Sequence, residues 1–322
     1  MSYEGERDSQ GRRDIYGTMT YTNDDVYVGE WSKDKRHGKG EMRYASGAIY
    51  EGEFKEGKIS GSGRLTHANG EEYTGDFKDG KRSGYGVHKW PSGAIYKGHW
   101  LNDERSGKGT EKFSDGDKYK GHWLNDRRNG EGAHTFSNGN VFKGIFKNDE
   151  PMRGEFKNVD GSGYKGTFKN GLYNGHGTMT LSNGTKYTGN WVDGIKDGSF
   201  ELNLPGTGAD GGICKGMYSN DRSVGDWTCI YNNRDRYIGQ LYNEKRNGRG
   251  VFTAMDGTAF EGNWINGELA QLSAVEGSPE PPEFTVFGER RPRTTYRPNT
   301  TLRSRSSQGG RRNKRSRKQY KK

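Results

Sequence analysis

Large rings and glycines occupy every second position of short segments, and charged residues fall between them. In the first such segment Tyr27, Gly29 and Trp31 alternate with Val28, Glu30 and Ser32. A period of two puts the rings on one side of a β-strand and the polar residues on the other. The same spelling returns every 23 residues, at Tyr50 to Phe54, Tyr73 to Phe77, Tyr96 to Trp100 and Tyr119 to Trp123. Eleven and thirteen residues after each tyrosine stands a glycine pair: Gly38 and Gly40, Gly61 and Gly63, Gly84 and Gly86, Gly107 and Gly109, Gly130 and Gly132. A further glycine closes each copy, at Gly47, Gly70, Gly93, Gly116 and Gly139. Self-similarity at a fixed short period marks an array of stacked units. Arrays present long surfaces and seldom build a single catalytic pocket.

Each copy predicts two strands. Gly40, Met42 and Tyr44 alternate as Tyr27, Gly29 and Trp31 do, so a ring on one strand meets a glycine on the next and has room to lie flat. Ala45-Ser46-Gly47, Ser114-Asp115-Gly116 and Ser137-Asn138-Gly139 read as three-residue hairpin loops with a left-handed glycine. Ser32 to His37 reads as a six-residue loop. One even and one odd loop keep every tyrosine on the same face. The other face is wet, with Glu30, Glu53, Asp76, His99 and His122 at one repeated position. Two strands per copy give roughly 10 Å per copy and an array on the order of 100 Å long. Half copies at Gly17–Tyr21 and Phe260–Trp264 end the array and leave edge strands that could pair with a second chain. Two copies depart. The one beginning at Phe142 lacks a residue and carries Pro151, and the one beginning at Tyr187 gains Leu204 to Gly212.

The expected fold class is all-β, a meander of about ten hairpin repeats followed by a disordered basic C-terminal tail. Residues 1–14 form an N-terminal segment and 15–269 the array, with half copies at 15–26 and 260–269 and full copies over 27–259. Residues 270–322 are the tail. Composition alone would suggest a disordered chain, since only 28% of residues are hydrophobic. The in-register rings overrule that for the array. Residues 278–322 hold 14 Lys and Arg against 3 Asp and Glu, so the rest of the chain, within a total of +10, is close to neutral. Met1 to Glu6 has no apolar leader, and the reading is of a cytoplasmic protein whose Cys214 and Cys229 face each other across a hairpin in reduced form.

The Tyr-x-Gly-x-Trp spelling with Gly-x-Gly and a closing Gly resembles the MORN (membrane occupation and recognition nexus) repeat family, over about three quarters of the chain. The resemblance implies an elongated, twisted single-layer antiparallel sheet whose motif aromatics line a partner groove. By position these are Tyr27, Trp31, Tyr50, Phe54, Tyr73, Phe77, Tyr96, Trp100, Tyr119, Trp123, Tyr164, Tyr187, Trp191, Tyr237 and Trp264. Cys214, Tyr218 and Leu241 depart from the motif. Gly189 to Gly194 through Val224-Gly225 looks like ciliary radial spoke head members of the family. The resemblance implies a non-enzymatic scaffold at a cytoskeletal, ciliary or membrane-linked assembly, with dimerisation and phosphoinositide binding among the family's properties.

No enzyme, cofactor or metal signature stands out. Gly52 to Lys58 mimics a phosphate-binding loop, but Ile59 replaces the Ser or Thr and the register crosses a hairpin rather than opening a helix. The seven histidines read as solvated or groove-lining. Arg36, Arg82, Arg105, Arg128, Lys196 and Arg246 recur at one loop position beside acidic neighbours. They read either as a salt-bridged edge of small energetic value or as a stripe for an acidic partner or anionic lipid. The tail cluster Arg303, Arg305, Arg311, Arg312, Lys314, Arg315, Arg317, Lys318, Lys321 and Lys322 suits anionic lipid, an acidic protein, a nuclear import receptor or nucleic acid. Scarcity of aromatics there makes nucleic acid the least favoured. The function expected is a scaffold for protein partners; the alternatives are a peripheral anionic-lipid adaptor and a nuclear or nucleic-acid-associated protein. Deleting residues 278–322 should leave the array folded, by circular dichroism, with weaker and less salt-sensitive partner binding. A truncated chain that fails to fold would break this division of labour.

Overall fold

Two residues of positive φ reverse the chain inside each copy. Lys33 and Asp34, at φ 47° and 69°, join β3 (Val26–Ser32) to β4 (Lys35–Arg43). The same left-handed pair recurs as Glu56-Gly57, Asp79-Gly80, Asn102-Asp103, Asn125-Asp126 and Asn148-Asp149. This is the type I′ turn, whose twist matches antiparallel strands and which Asn, Asp and Gly adopt most readily. The six-residue loop expected from Ser32 to His37 is therefore a two-residue turn followed by a bulge. Gly29 pairs with Gly40 and Trp31 with Arg36, so His37, Gly38 and Lys39 face Glu30 alone. Two extra residues leave the alternation of faces intact. The closing loops match expectation. The Tyr44 amide donates to the Ala48 carbonyl at 2.8 Å across Ala45-Ser46-Gly47.

The computed structural model describes residues 1–273. They form one open antiparallel sheet of 24 strands, in which each strand pairs with the next in sequence. The helical structure among the described residues is one turn at Gly208–Asp210, and no helix is long and apolar enough to cross a membrane. Both ends extend past the expected half copies. β1 (Ser2–Arg7) lies in the segment set apart as 1–14 and pairs with β2 (Arg13–Thr20). Its Tyr3-Glu4-Gly5 repeats the motif start. β24 (Glu268–Leu272) runs past residue 269 and pairs with β23 (Ala259–Ile265).

One face of the sheet is its core. Every motif tyrosine but Tyr187 lies flat over the glycine of the next strand and donates its hydroxyl to the carbonyl three residues on, as Tyr27 does to Glu30 at 2.8 Å. A Cβ on Gly86 would sit 2.5 Å from Tyr73 Cε2, closer than real carbons approach. The next ring stands edge-on between two tyrosines. Trp100 lies 5.2 Å from Tyr96 and 5.5 Å from Tyr73, and Trp123 lies 5.2 Å from Tyr119 and 5.4 Å from Tyr96. Edge-to-face pairs are worth about 0.5–1.5 kcal/mol each beyond area burial, so the herringbone ties each copy to the next.

The departing copies solve the same packing problem differently. β13 (Val141–Lys147) pairs Ile145 with Arg153 and Phe146 with Pro151 of β14 (Glu150–Lys157), so Met152 alone is extra. The missing residue came out of the bulge. In β18 (Ile195–Leu204) Phe200 takes the glycine position opposite Gly189. Tyr187, denied that space, hydrogen-bonds the Glu244 carboxylate instead. In the next copy the exchange is complete. Cys214 replaces the tyrosine, and Trp227 replaces the glycine and covers Gly216. The inserted residues lengthen β18 and form a loop that Asn232 Nδ2 holds by donating to the Gly206 carbonyl at 2.8 Å.

Gly86→Ala should cost about 2–3 kcal/mol by overpacking, because Tyr73 is boxed between Phe77 and Trp100. Gly80→Asp, at φ 84° with nothing within 4 Å of its Cβ, should cost under about 1 kcal/mol, since Asp tolerates the left-handed region. Urea denaturation midpoints check both; equal losses would refute the ring-on-glycine account.

Candidate functional site

The aromatics expected to line a groove are buried. All fifteen, from Tyr27 to Trp264, are at most 5% exposed. A single-layer sheet has no second layer, so these rings cover one another and are further covered by Met42, Tyr44, Trp90, Phe113 and Phe136. They are the core rather than a binding surface, and burial pushes their hydroxyls up, to about 12 at Tyr119.

The basic loop stripe is also structural. Arg82 Nε donates to Asp103 Oδ1 at 3.2 Å, and its Nη2 donates to the Asp103 carbonyl at 2.8 Å. The guanidinium stacks 4.2 Å from the Trp100 ring. Arg105 holds Asp126 and Trp123, and Arg128 holds Asp149 and Phe146, in the same way. Lys196 lies 3.8 Å from Asp221, Arg36 donates to the Gly57 carbonyl and Arg246 to that of Gly267. The acidic partner of Arg82, Arg105 and Arg128 is therefore in the following copy, 21 residues on, and that of Lys196 25 residues on across the insertion, not the neighbour in the same loop. Arg13, outside the expected stripe, clamps Asp34 likewise.

The other guanidinium nitrogen finds an acceptor on the core face. Arg82 Nη1 lies 2.7 Å from His88 Nδ1, and His88 Nε2 lies 2.7 Å from Glu71. Arginine only donates, so Nδ1 accepts and Nε2 carries the hydrogen. Arg128, His134 and Asp117 repeat the arrangement at 2.7 and 2.8 Å. Between them Arg105 Nη1 meets the buried Glu111 carboxylate at 2.7 Å, whose pKa burial raises despite the guanidinium. Burial first and then Arg82 hold His88 below the ordinary imidazole range; burial does the same at His134. Cys214 and Cys229 are joined as a disulfide across β19 (Gly212–Ser219) and β20 (Arg222–Tyr231), not reduced as expected. They are directly opposite in register and buried.

The open site lies on the wet face. A trough of about 1220 Å³ runs across nine strands, from Tyr85 on β8 (Lys81–Lys89) to His176 and Thr178 on β16 (Leu172–Thr180). Lys97, Lys108, Lys120, Lys143, Arg153 and Lys165 line it, against Glu131 and Glu155. None of the six cations is in an ion pair among the described residues. Cross-strand register explains the spacing: Lys97 and Lys120 flank Thr110, Lys120 and Lys143 flank Ala133, and Lys143 and Lys165 flank Glu155. Lysines thus recur on alternate strands, roughly 10 Å apart. His99 and His122 stitch the bulges, with Nδ1 donating to the Lys108 and Glu131 carbonyls at 3.0 and 3.1 Å. In earlier copies carboxylates do this by accepting: Glu30 from the Lys39 amide and Asp76 from the Tyr85 amide. The bulge-stitching position is therefore a carboxylate in the early copies and an imidazole in the copies that start with β9 (Ile95–Leu101) and at Tyr119, and the trough's cations run from Lys97 to Lys165. Of the lining residues, the sequence pattern had placed His99 and His122 on the wet face by name; it carried no signal for the lysine row or for the concavity.

Sequential hairpins, a one-sided ring core and an open polar trough define a β-repeat binding scaffold. The MORN repeat pattern matches residues 27–49, 50–72, 73–95, 96–118, 119–141, 164–186, 187–199 and 237–259, more than half of the chain, and the chain belongs to the MORN repeat family. Between those segments, the stretches left unmatched, 142–163 and 200–236, are those with the altered bulge and the ring exchange. No curated protein sequence matches the chain. Among solved structures, the SAS-4 (dCPAP) TCP domain of Drosophila Melanogaster, in complex with a proline-rich motif of Ana2 (dSTIL), aligns over 63% of this chain and 90% of its own, with 13% identity and a TM-score of 0.28. A streptogramin B lyase aligns over 82% and 87% at 12% identity and a TM-score of 0.15. A catalytically inactive virginiamycin B lyase from Staphylococcus aureus with quinupristin aligns over 81% and 87% at 12% identity and 0.14. Scores this low establish neither a shared fold nor a shared ligand.

The two neutral imidazoles give a pH dependence with a definite sign. The unfolded chain takes up protons on His88 and His134 near pH 6.5, and the folded chain only further down. Stability is then full above about pH 6.5 and falls as pH drops from there. His88→Leu with His134→Leu, copying Leu65 at the equivalent position, should flatten the decline of the thermal midpoint between about pH 7 and 5. Glu111 acts in the opposite sense and is common to both proteins. An unchanged slope would show that these rings do not carry the effect.

Proposed function

We propose that this protein is a non-catalytic scaffold that holds an acidic polypeptide segment of a partner along the wet-face trough. The observation that carries this reading is the row of six unpaired cations on a concave surface. Like charges held roughly 10 Å apart repel modestly through water, and an anionic chain lying along the trough relieves all of them together. An extended segment fits the direction, since the trough crosses the strands rather than following one. The two glutamates and the single exposed ring, Tyr85, suit nucleic acid poorly, because single strands need successive stacking platforms.

The second reading, an anionic-lipid adaptor, meets a geometric obstacle. A flat bilayer does not follow a concave floor. The basic cluster from Arg303 to Lys322 escapes that obstacle but lies outside the described residues; its proposed role is an electrostatic anchor. A cytoplasmic assembly on the cytoskeleton or a cilium is the setting the family resemblance favours, with a nuclear one as the alternative. The outer edges of β1 and β24, unpaired among the described residues, are the proposed surfaces for a homodimer.

A fluorescein-labelled Asp/Glu-rich peptide of about 14 residues, long enough to follow the trough, should bind the full chain at low salt and be released near 0.5 M, where screening is severe. Lys97→Glu with Lys120→Glu should weaken binding at least about tenfold with no loss of thermal stability, since Lys97 faces Val87 and Thr110 and Lys120 faces Thr110 and Ala133 across the strands. Vesicles with and without acidic lipid provide the other arm. Flotation that survives this double substitution, with no peptide binding by the wild type, would replace the proposal with the lipid reading.

A further inference from the structure

Beyond the trough the same face turns apolar. Ile213 faces Ile230 and Met217 faces Val224 across β19 and β20. Ile238 on β21 (Arg236–Tyr242) faces Val251 on β22 (Lys245–Thr253). Met217 and Ile238 are each 52% exposed, and Ile230 is 49% exposed. Their equivalents in the copy that starts at Tyr119 are His122, Lys120 and Thr135. The core side of these strands is already filled by Tyr218, Trp227, Tyr237 and the Cys214–Cys229 bridge. One polar rung, Lys215 opposite Thr228, interrupts these pairs. Folding does not require apolar residues on this side, and an exposed aliphatic cluster of this kind marks a contact.

Five half-exposed aliphatic side chains, with the more covered Val251 beside them, offer on the order of 400 Å², short of the about 800 Å² per partner in a standard stable interface. The patch is thus too small to sustain a dimer alone. It lies on the same face as the trough, with only β17 (Lys186–Val192) and β18 between them. Arg236, directly opposite Ile230, continues the basic character at its border. We propose that the patch receives the apolar end of the same acidic segment, which gives the trough's ligand a fixed polarity and a fixed register. This rests on the trough reading above. The strand count between the two sites sets the spacing: three to four strands, or roughly 15–20 Å, which about five or six extended residues span.

The test uses the full chain and two labelled synthetic peptides in fluorescence anisotropy. One is an Asp/Glu-rich run. The other is the same run with a Gly/Ser spacer of about six residues and a Leu-Ile-Phe end, made in both chain directions. In one direction the extended peptide should bind about tenfold tighter, the scale of one or two buried aliphatic side chains. Met217→Asp with Ile238→Asp should remove that gain and leave the plain acidic peptide unaffected. The milder Ile238→Ser guards against misfolding, with circular dichroism as the control. An extended peptide that binds no tighter than the plain one would overturn the patch proposal and leave the trough standing. Binding of neither peptide would remove both. A wild-type dimer that the Asp variants convert to monomer, seen by sedimentation, would assign the patch to self-association instead.

Discussion

A tyrosine ring lying against bare glycine backbone is the contact on which the rest of this sheet depends. A single layer has no opposing layer to bury its side chains. It must fold its own rings down onto itself, and only a residue without Cβ leaves space beneath them. Tyr73 over Gly86 and Tyr96 over Gly109 show the pairing, and the edge-on rings between successive tyrosines carry it from copy to copy. The ring exchange at Cys214 and Trp227 shows that the constraint is on the pair: one partner must be large and the other small, on either strand.

Because one face carries the folding information, the other is free to carry something else. The early copies place carboxylates there, the middle copies lysines and histidines, and the late ones Met217, Ile230 and Ile238. None of these substitutions disturbs the rings beneath. Even the bulge-stitching bond survives the change of sign, as the carboxylate that accepts from an amide in Glu30 becomes an imidazole that donates to a carbonyl in His99. An array built this way can vary its surface along its length while repeating its core.

The fold was legible because its rules are local. Period-two alternation, the 23-residue spacing and left-handed glycines specify strands, repeat and closing loops. The two-residue turn was missed although Asp79-Gly80, Asn170-Gly171 and Asp193-Gly194 spell it: the bulge after it lengthened the apparent loop, and pairs such as Lys33-Asp34 and Asn102-Asp103 reach positive φ without a glycine. The site was less legible. Side-chain identity reveals which face a residue occupies but not whether the face is concave, and the groove was assigned to the rings because their burial in a one-layer sheet is a packing outcome. The arginine clamps did leave a signal: Arg82, Arg105 and Arg128 are followed by Asp at a distance of 21 residues, whereas Ile59 and Tyr173 are followed by Gly80 and Gly194. The disulfide has no local signature beyond two cysteines at facing positions.

Those clamps are not uniform, and one of their gaps is instructive. From Arg128 to Asp149 the hairpins are latched side to side, and Gly194 again donates to the Tyr173 carbonyl at 2.8 Å. Between them, where Pro151 takes the arginine's place, no such bond joins the hairpin of β13 and β14 to the one that follows among the described residues. The ladder from β14 to β15 (Gly163–Lys169) and the edge-on contact of Phe168 with Phe142 hold that junction, between Arg153 and Lys165 of the row of cations. Within the cradle, that junction therefore has one tie fewer than its neighbours. Bending there would change the cradle's width without unzipping either flank, letting one rigid ruler accommodate occupants of different girth.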